Sequence, residues 1–507
     1  MRPYHTLLFL LLVFVLGLGT AAVWPKEGLP LTRDWRLPFA SLDDLFGNDT
    51  TRQVNVDSLF ASYDEPFDST AIIDSLRMAR IAYRQKVMRI QYADSSMKLN
   101  KFFAALNQRK QGVGKVRILH YGDSQIEGDR MTSDIRNGLQ KEFGGSGPGH
   151  IDAYPLASSL SISNNRSANW RRLPVFGNQD STLTHNRFGM YGVFARFTPF
   201  PKMDTIFQDS IRTKINDAKG KRDTVFMPDP IVKKILPYDS IVKAWVVLSP
   251  TKIGYMTSRK FTKMSILFRN PDAPFKMRVI LSDSTKTVRD YPVNGNSQIY
   301  NQTFVSSPEV VRLEFEAKSS PDIYSIRLEN DYGIVMDNIP MRGSSGTYFG
   351  QINNAEMATQ FEQTKADLII LQFGGNTVPY MTEEKVGNYG RWFSNQIRYL
   401  QRMNPNADFV LIGPSDMSIK DGTKYVTYPI LPSVRDVLRT SALDNGIGFW
   451  DMYEVMGGRN SMPSWVNADP PLAAPDYVHF SRQGARKLAE LFYEALMKDY
   501  EEWKSSE

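Results

Sequence analysis

The sequence predicts an α/β domain built on a parallel sheet and interrupted by an inserted antiparallel β domain. Three observations carry this. Val116–His120 (VRILH) is a short apolar run that passes at once into Tyr121-Gly-Asp-Ser and then into a helical pattern, the opening of an α/β unit. Over about the next 180 residues the pattern changes to strict alternation, the mark of half-buried antiparallel strands. After Gly333 continuous apolar runs return, with Asp367–Phe373 (DLIILQF) and Asp408–Ile412 (DFVLI) predicted as buried strands between helical stretches.

The elements follow in order. Arg2 precedes an uninterrupted apolar run, Leu7 to Gly19, and the small residues Thr20, Ala21 and Ala22 follow it. This pattern predicts a signal peptide over residues 1–24, because the run is short of the ~20 residues a spanning helix needs. Left uncleaved and extended to Trp24, it would serve as an N-terminal anchor. Residues 25–112 are a spacer and helical lead: Pro-, Asp- and Ser-rich turns to about residue 68, then two helical faces, Ile72, Leu76, Ala79 and Tyr83, and Leu99, Phe102, Phe103 and Leu106. The first part of the α/β domain is expected over 113–155, with a helix from Met131 to Phe143 ending at the glycine-rich Gly144–Gly149.

The inserted domain is expected over 156–334. Phe275, Met277, Val279 and Leu281 alternate, as do Val311, Leu313, Phe315 and Ala317 against Arg312, Glu314 and Glu316. Similar runs at Val193–Phe197, Lys243–Leu248, Met264–Phe268 and Tyr324–Leu328 complete a predicted β-sandwich, with a polar excursion over 208–238. Residues 335–507 resume the α/β domain, with a weaker strand at Gly448–Trp450 and helices near 385–403, 427–444 and Gln483–Trp503.

Length and composition bound the function. A chain of 507 residues, 42% apolar and 23% charged, is expected to hold two or three globular domains. A net charge of +7 with no dense Lys/Arg block speaks against nucleic-acid binding. The absence of cysteine excludes disulfides, thiolate metal sites, cysteine nucleophiles and a lipid-modified N-terminal cysteine.

The chemistry-bearing residues fall at strand ends. Ser124 follows a strand and precedes a helix, where reactive groups gather in open α/β sheets and where backbone N–H groups stabilise negative charge. A serine nucleophile needs a base, and only five histidines are present: His5, His120, His150, His185 and His479. His479 lies in Asp476-Tyr-Val-His just before the last helix, and a carboxylate three residues away can hold its Nδ1–H and leave Nε2 for the serine. Asn376, in Phe373-Gly-Gly-Asn376, emerges from a buried strand at the same sheet edge and offers an amide donor. Gly343 and Gly346, in Gly343-Ser-Ser-Gly346, are both able to bring a backbone N–H close to a substrate oxygen.

This combination resembles the SGNH (GDSL-type) hydrolase family, whose four sequence blocks supply Ser, Gly, Asn and His. Gly122-Asp-Ser124, Gly346 (with Gly343 as the alternative), Gly374-Gly-Asn376 and Asp476-x-x-His479 match the blocks in order. The resemblance covers about 113–150 and 335–507. The long insertion after the first block is similar to the peptidoglycan O-acetylesterase branch, in which a carbohydrate-binding-like β domain interrupts the α/β domain. Thr377 replaces the Asp that usually ends the third block, and Gln125 and Glu127 stand where many relatives carry Leu and Thr; these two are expected to tune the acyl group or acceptor.

The resemblance implies a three-layer α/β/α SGNH-hydrolase domain interrupted by a jelly-roll-like antiparallel β-sandwich. It implies Ser124, Asp476 and His479 as the catalytic set, and an oxyanion hole from Ser124, Gly346 and Asn376, with no metal or organic cofactor. The expected function is removal of O-acetyl groups from a cell-envelope polysaccharide, peptidoglycan first. Two alternatives stand beside it: a polysaccharide O-acetyltransferase using the same site, and a glycan-binding protein with an inactive site. The expected partner is an O-acetylated glycan, with membrane contact only through an N-terminal anchor. Export to the periplasm or envelope of a Gram-negative-type bacterium follows from the same reading.

Overall fold

The computed structural model describes residues 82, 83, 85–94, 98–110, 112, 114–177, 179–183, 185–216 and 221–506, with a few isolated positions nearer the N-terminus. The predicted signal segment, apart from Leu12, Gly19 and Thr20, and the helical face of Ile72, Leu76 and Ala79 lie outside the described residues. Among the described residues no helix is long and apolar enough to cross a membrane.

Five parallel strands form the central sheet: β1 (Lys115–Gly122), β2 (Gly333–Pro340), β3 (Leu368–Gln372), β4 (Asp408–Ile412) and β5 (Gly448–Trp450). Their spatial order is β2-β1-β3-β4-β5, so the chain reverses direction across the sheet between β1 and β3. In such sheets the crevice at the carboxyl ends of the strands beside the reversal is where ligands bind. Strand β2 is not among the strands the sequence predicts, yet it pairs with β1 in unbroken register from Gly333–Lys115 to Pro340–Gly122.

Helices α1 (Asn100–Lys110), α2 (Thr132–Phe143), α3 (Asn354–Thr364), α4 (Glu383–Met403), α5 (Leu431–Asp444) and α6 (Arg482–Ser506) cover the two faces. Successive side chains of a strand point to opposite faces, so a continuous apolar run serves both. Leu119, Tyr121, Ile369 and Leu371 pack with Phe361, Phe393 and Leu438 from α3, α4 and α5. Ile118, Ile334, Leu368 and Ile370 pack with Phe102, Ile135 and Phe492 from α1, α2 and α6. The free edge of β5 is closed by the segment before α1: Gln91 bridges Phe449, and Arg89 bonds Asp499 on α6 at 2.5 Å. An open strand edge invites pairing with another chain, and this segment removes it.

The inserted domain is two antiparallel sheets over one apolar core that includes Val246, Leu313, Phe315, Met264 and Ile326. One sheet runs Lys286–Tyr291, Phe275–Leu281, Val311–Ala317, Val242–Pro250, Ile162–Arg166; the other includes Lys263–Asn270, Asp322–Glu329 and Val193–Arg196. Gly149–Ile151 already pairs with Asp322–Glu329, so the insertion begins a few residues before the expected 156. The polar excursion is a β-hairpin of two 15-residue strands, Lys202–Asn216 and Lys221–Ile235.

The glycine-rich stretch Gly144–Gly149 leads into the insertion along β2, and its contacts begin at the amino end of that strand rather than over the carboxyl-end crevice. Ile334 N donates to Gly144 O, at the amino end of β2. At Gly145 (φ +100°) a Cβ would stand 2.4 Å from Ile334 N, so only glycine lets the two chains approach. Beside it Arg117, buried in β1, bonds Glu329 at 2.5 Å and Asp337 at 2.8 Å, tying the inserted sheet to β1 and β2.

Candidate active site

Ser124 leaves the end of β1 at the reversal point of the sheet. It opens a short 3-10 turn, Ser124–Asp129, rather than the α-helix itself. Gly128 (φ +69°), Asp129 (φ +66°) and Met131 (φ +39°) are not helical, and α2 starts only at Thr132. The predicted helix N-terminus at Ser124 is therefore replaced by this turn, and the dipole of α2 does not act on Ser124 directly, since it fades beyond the first turn. Arg130 holds the turn: it donates to Ser124 O at 2.6 Å, Glu127 O at 3.0 Å and Phe480 O at 3.3 Å.

The loop before α6 brings the base. Ser124 Oγ lies 2.9 Å from His479 Nε2, and His479 Nδ1 lies 2.8 Å from Asp476 Oδ2. The other carboxylate oxygen of Asp476 accepts from the backbone N–H of Val478 and of His479, each at 3.0 Å. Burial alone would raise this carboxyl, but the His479 backbone N–H and ring and the Val478 N–H outweigh it and hold Asp476 below the usual range. Of the four other histidines, His5 lies outside the described residues. His120 is buried in β1 between Gln372 and Thr132, and burial pushes its pKa down to about 4. His150 bonds Ser325 and Asp152, and His185 stacks on Phe194, both away from Ser124.

The histidine loop is fixed by parts the sequence reading passes over. Gln125 Nε2 donates to Val478 O at 2.7 Å, and Gln125 Oε1 accepts from Phe480 N at 3.4 Å. Gln125, expected to tune the acyl group or acceptor, lines the cleft and also clamps the nucleophile turn to the base loop. A small hairpin, Ser418–Asp421 with Lys424–Thr427, lies against the other side. The ring of Tyr425 stacks on Tyr477 at 3.6 Å, and Ser418 N donates to Tyr477 O at 3.0 Å. Tyr477 sits between Asp476 and His479 at φ +56°, a conformation a non-glycine residue holds only under constraint. Tyr425→Ala should lower kcat about tenfold through misplacement of the pair, and Tyr425→Phe should restore it. Equal kcat in Tyr425→Ala and wild type would refute this positioning role.

Ser124, Gly343 and Asn376 line a cleft of ≈ 640 Å³ together with His479, Arg130 and Arg342. Gly346 does not. Its N–H donates to Ser344 Oγ at 3.0 Å, and a Cβ there would stand 2.7 Å from the rings of Phe373 and Phe393. Gly346 is a packing glycine, and the open position is the alternative, Gly343, where a Cβ would meet only Phe176 at 3.7 Å. The Asn376 amide donates to Asp123 Oδ2 at 3.1 Å and to Ser344 O at 3.2 Å. It faces the cleft, but an incoming oxyanion would have to displace Ser344 O to use it. Glu127 is in a bidentate pair with Arg342 at the rim, at 2.6 and 2.9 Å.

Asp123 anchors this corner, accepting from Gln125 N at 2.9 Å as well as from Asn376. Burial pushes its pKa up to about 6, against the Gln125 N–H, the charge of His479 and the Asn376 amide. A raised folded pKa contributes stability that is fully present below the unfolded value and is lost as pH rises through about 6. The stability of wild type relative to Asp123→Asn should therefore fall by up to ~3 kcal/mol between pH 4 and pH 7. Urea unfolding across that range checks it, and a flat difference would refute it.

Residues 308–487 match the GDSL-like Lipase/Acylhydrolase family. That stretch holds Asn376, Asp476 and His479 and leaves out Ser124, which the insertion separates from them in sequence. No curated protein matches the chain. A solved structure described as a peptidoglycan O-acetylesterase in action superposes with a TM-score of 0.59 at 21% identity, over 82% of this chain and 99% of that one. An acetylxylan esterase from Geobacillus stearothermophilus aligns over 32% of this chain and 73% of its own, at 17% identity and a TM-score of 0.24. A family two carbohydrate esterase from Clostridium thermocellum, solved in complex with cellohexaose, aligns over 52% and 94% at 11% identity and a TM-score of 0.22. Only the first of these is similar enough to establish a shared fold.

Proposed function

Starting from a chain that carries a GDSL-like lipase/acylhydrolase domain, we propose that it is a serine esterase that removes O-acetyl groups from a cell-envelope polysaccharide, peptidoglycan first. The observation that carries the reading is the continuous relay Asp476–His479–Ser124, with contacts of 2.8 and 2.9 Å at the carboxyl end of β1. His479 Nε2 takes the proton of Ser124 as Oγ attacks the acetyl carbonyl. Asp476 holds Nδ1–H and stabilises the imidazolium that forms. Ser124 and Gly343 both line the cleft, and their backbone N–H groups are the donors assigned to the oxyanion, each such donor being worth ~3 kcal/mol. His479 then returns the proton to the departing sugar hydroxyl, and water attacks the acetyl-enzyme to release acetate.

Exposure supports a large substrate: the side chains of His479 and Asp476 are 36% and 50% exposed, so an ester carried on a polymer can reach them. The peptidoglycan O-acetylesterase of like fold supports the choice of glycan. Export by the N-terminal segment belongs to the same proposal. The test is acetate release from O-acetylated peptidoglycan by the protein lacking residues 1–24, beside its Ser124→Ala variant. Release that depends on Ser124 is expected. An acetylated Ser124 that persists until a sugar hydroxyl is supplied would replace the esterase by the transferase reading, and no turnover with no acyl-enzyme would refute both.

A further inference from the structure

The β-hairpin of the inserted domain, Lys202–Asn216 with Lys221–Ile235, reads as polar along the sequence, but its register separates the residues by face. We propose that its apolar face is the contact between two copies of this chain, stacked hairpin on hairpin. The proposal does not depend on the esterase reading.

The register does the sorting. Thr205 pairs with Val232, Phe207 with Pro230 and Ile211 with Phe226, which puts Met203, Phe207, Ile211, Phe226, Pro230 and Val232 on one face. The alternate positions, Lys202, Asp204, Arg212, Lys214, Asp229 and Lys233, fall on the other. On the first face Met203, Phe207 and Val232 are 62%, 69% and 60% exposed. Ile231 and Ile235 are exposed on the second, but there Lys233 stands between them. A contiguous apolar face bounded by charge marks a contact surface.

The ribbon needs a cover. Among the described residues no third strand pairs with it, and near its base Lys234 bonds Asp272 at 3.0 Å. A two-stranded ribbon is marginally stable in water until a further strand or a packed layer joins it. Lipid is a poor cover, because both edges would carry unpaired N–H and C=O groups into a medium that cannot bond them. A further strand is disfavoured too. Proline has no N–H and sits in a strand only where that group would face outward, so Pro228 and Pro230 blunt the outer edge of the second strand.

Face-on-face packing remains, with the edges left in water. Each strand has 15 residues. At ~3.3 Å per residue and ~4.8 Å between strands, each face measures roughly 50 by 10 Å, so two stacked faces bury about 1,000 Å², enough for a specific interface. A second copy brings a face of the same shape in equal amount, and a two-fold contact closes on itself.

The chain contains no cysteine, so one introduced thiol reports one position. Asp209 is midway along its strand, where a two-fold stack brings the two copies to about one sheet spacing, ~10 Å. Gln208, its neighbour, falls on the opposite face. The full chain carrying Asp209→Cys, treated with a short bismaleimide, should give about tenfold more covalent dimer than the chain carrying Gln208→Cys. Adding Phe207→Asp to Asp209→Cys should cut the dimer about tenfold with the circular dichroism unchanged. No dimer from Asp209→Cys, equal yields from the two positions, or a yield that Phe207→Asp leaves unchanged overturns the proposal. Phosphatidylglycerol vesicles that shield Asp209→Cys from maleimide, with no dimer formed, would give the face to lipid and overturn it as well.

Discussion

Alanine at position 124 should lower kcat on an acetyl ester by at least a thousandfold while the fold stays intact. The substitution removes Oγ, the atom 2.9 Å from His479 Nε2, and keeps the backbone N–H proposed as an oxyanion donor. What survives is the contribution of binding and of the remaining donors, which in serine hydrolases is far below the full effect. His479→Ala should lose a similar amount. Because the two act as a unit, Ser124→Ala/His479→Ala should lose little beyond either single variant. Additive losses would mean that the residues do not share one proton path. Steady-state rates, with circular dichroism as the check on folding, decide it.

Removing the Arg136 side chain should cost the fold 3–5 kcal/mol, by the rule for breaking a buried ion pair, roughly the largest loss for a single residue here. Arg136 projects from α2 and is 0% exposed. Its guanidinium bonds both oxygens of Asp129, Met336 O at 3.2 Å on β2 and Ser161 Oγ at 2.9 Å in the inserted domain. One group thus joins the nucleophile turn, the sheet and the insertion. In Arg136→Ala the carboxylate of Asp129 is left buried without its cation, and that desolvated charge is the source of the loss. Arg136→Met together with Asp129→Asn removes both charges and should recover most of the stability, since asparagine tolerates the φ of +66° at this position. Urea unfolding measures both, and a loss below ~1 kcal/mol in Arg136→Ala would show that Asp129 finds another partner.

The sequence by itself determined the class of fold and singled out Ser124, Asp476 and His479, which the structure joins by hydrogen bonds. Buried strands such as Leu368–Gln372 are continuous apolar runs because both faces are covered, and the inserted strands alternate because one face of each sheet is wet; both periods are local properties of the chain. Asp476 and His479 are three residues apart, so their pairing is local too. The partner of His479 is 355 residues away, and only the tertiary structure placed Ser124 Oγ against its ring. Tertiary structure also chose between two glycines that the sequence cannot separate. Packing of Phe373 and Phe393 takes Gly346 into the core and leaves Gly343 in the cleft. The roles of Gln125 and Tyr425 as supports of the histidine loop are contacts between segments far apart in the chain. No spacing or period records them, because the energy of a contact depends on which surfaces meet, and that is decided only when the whole chain has folded.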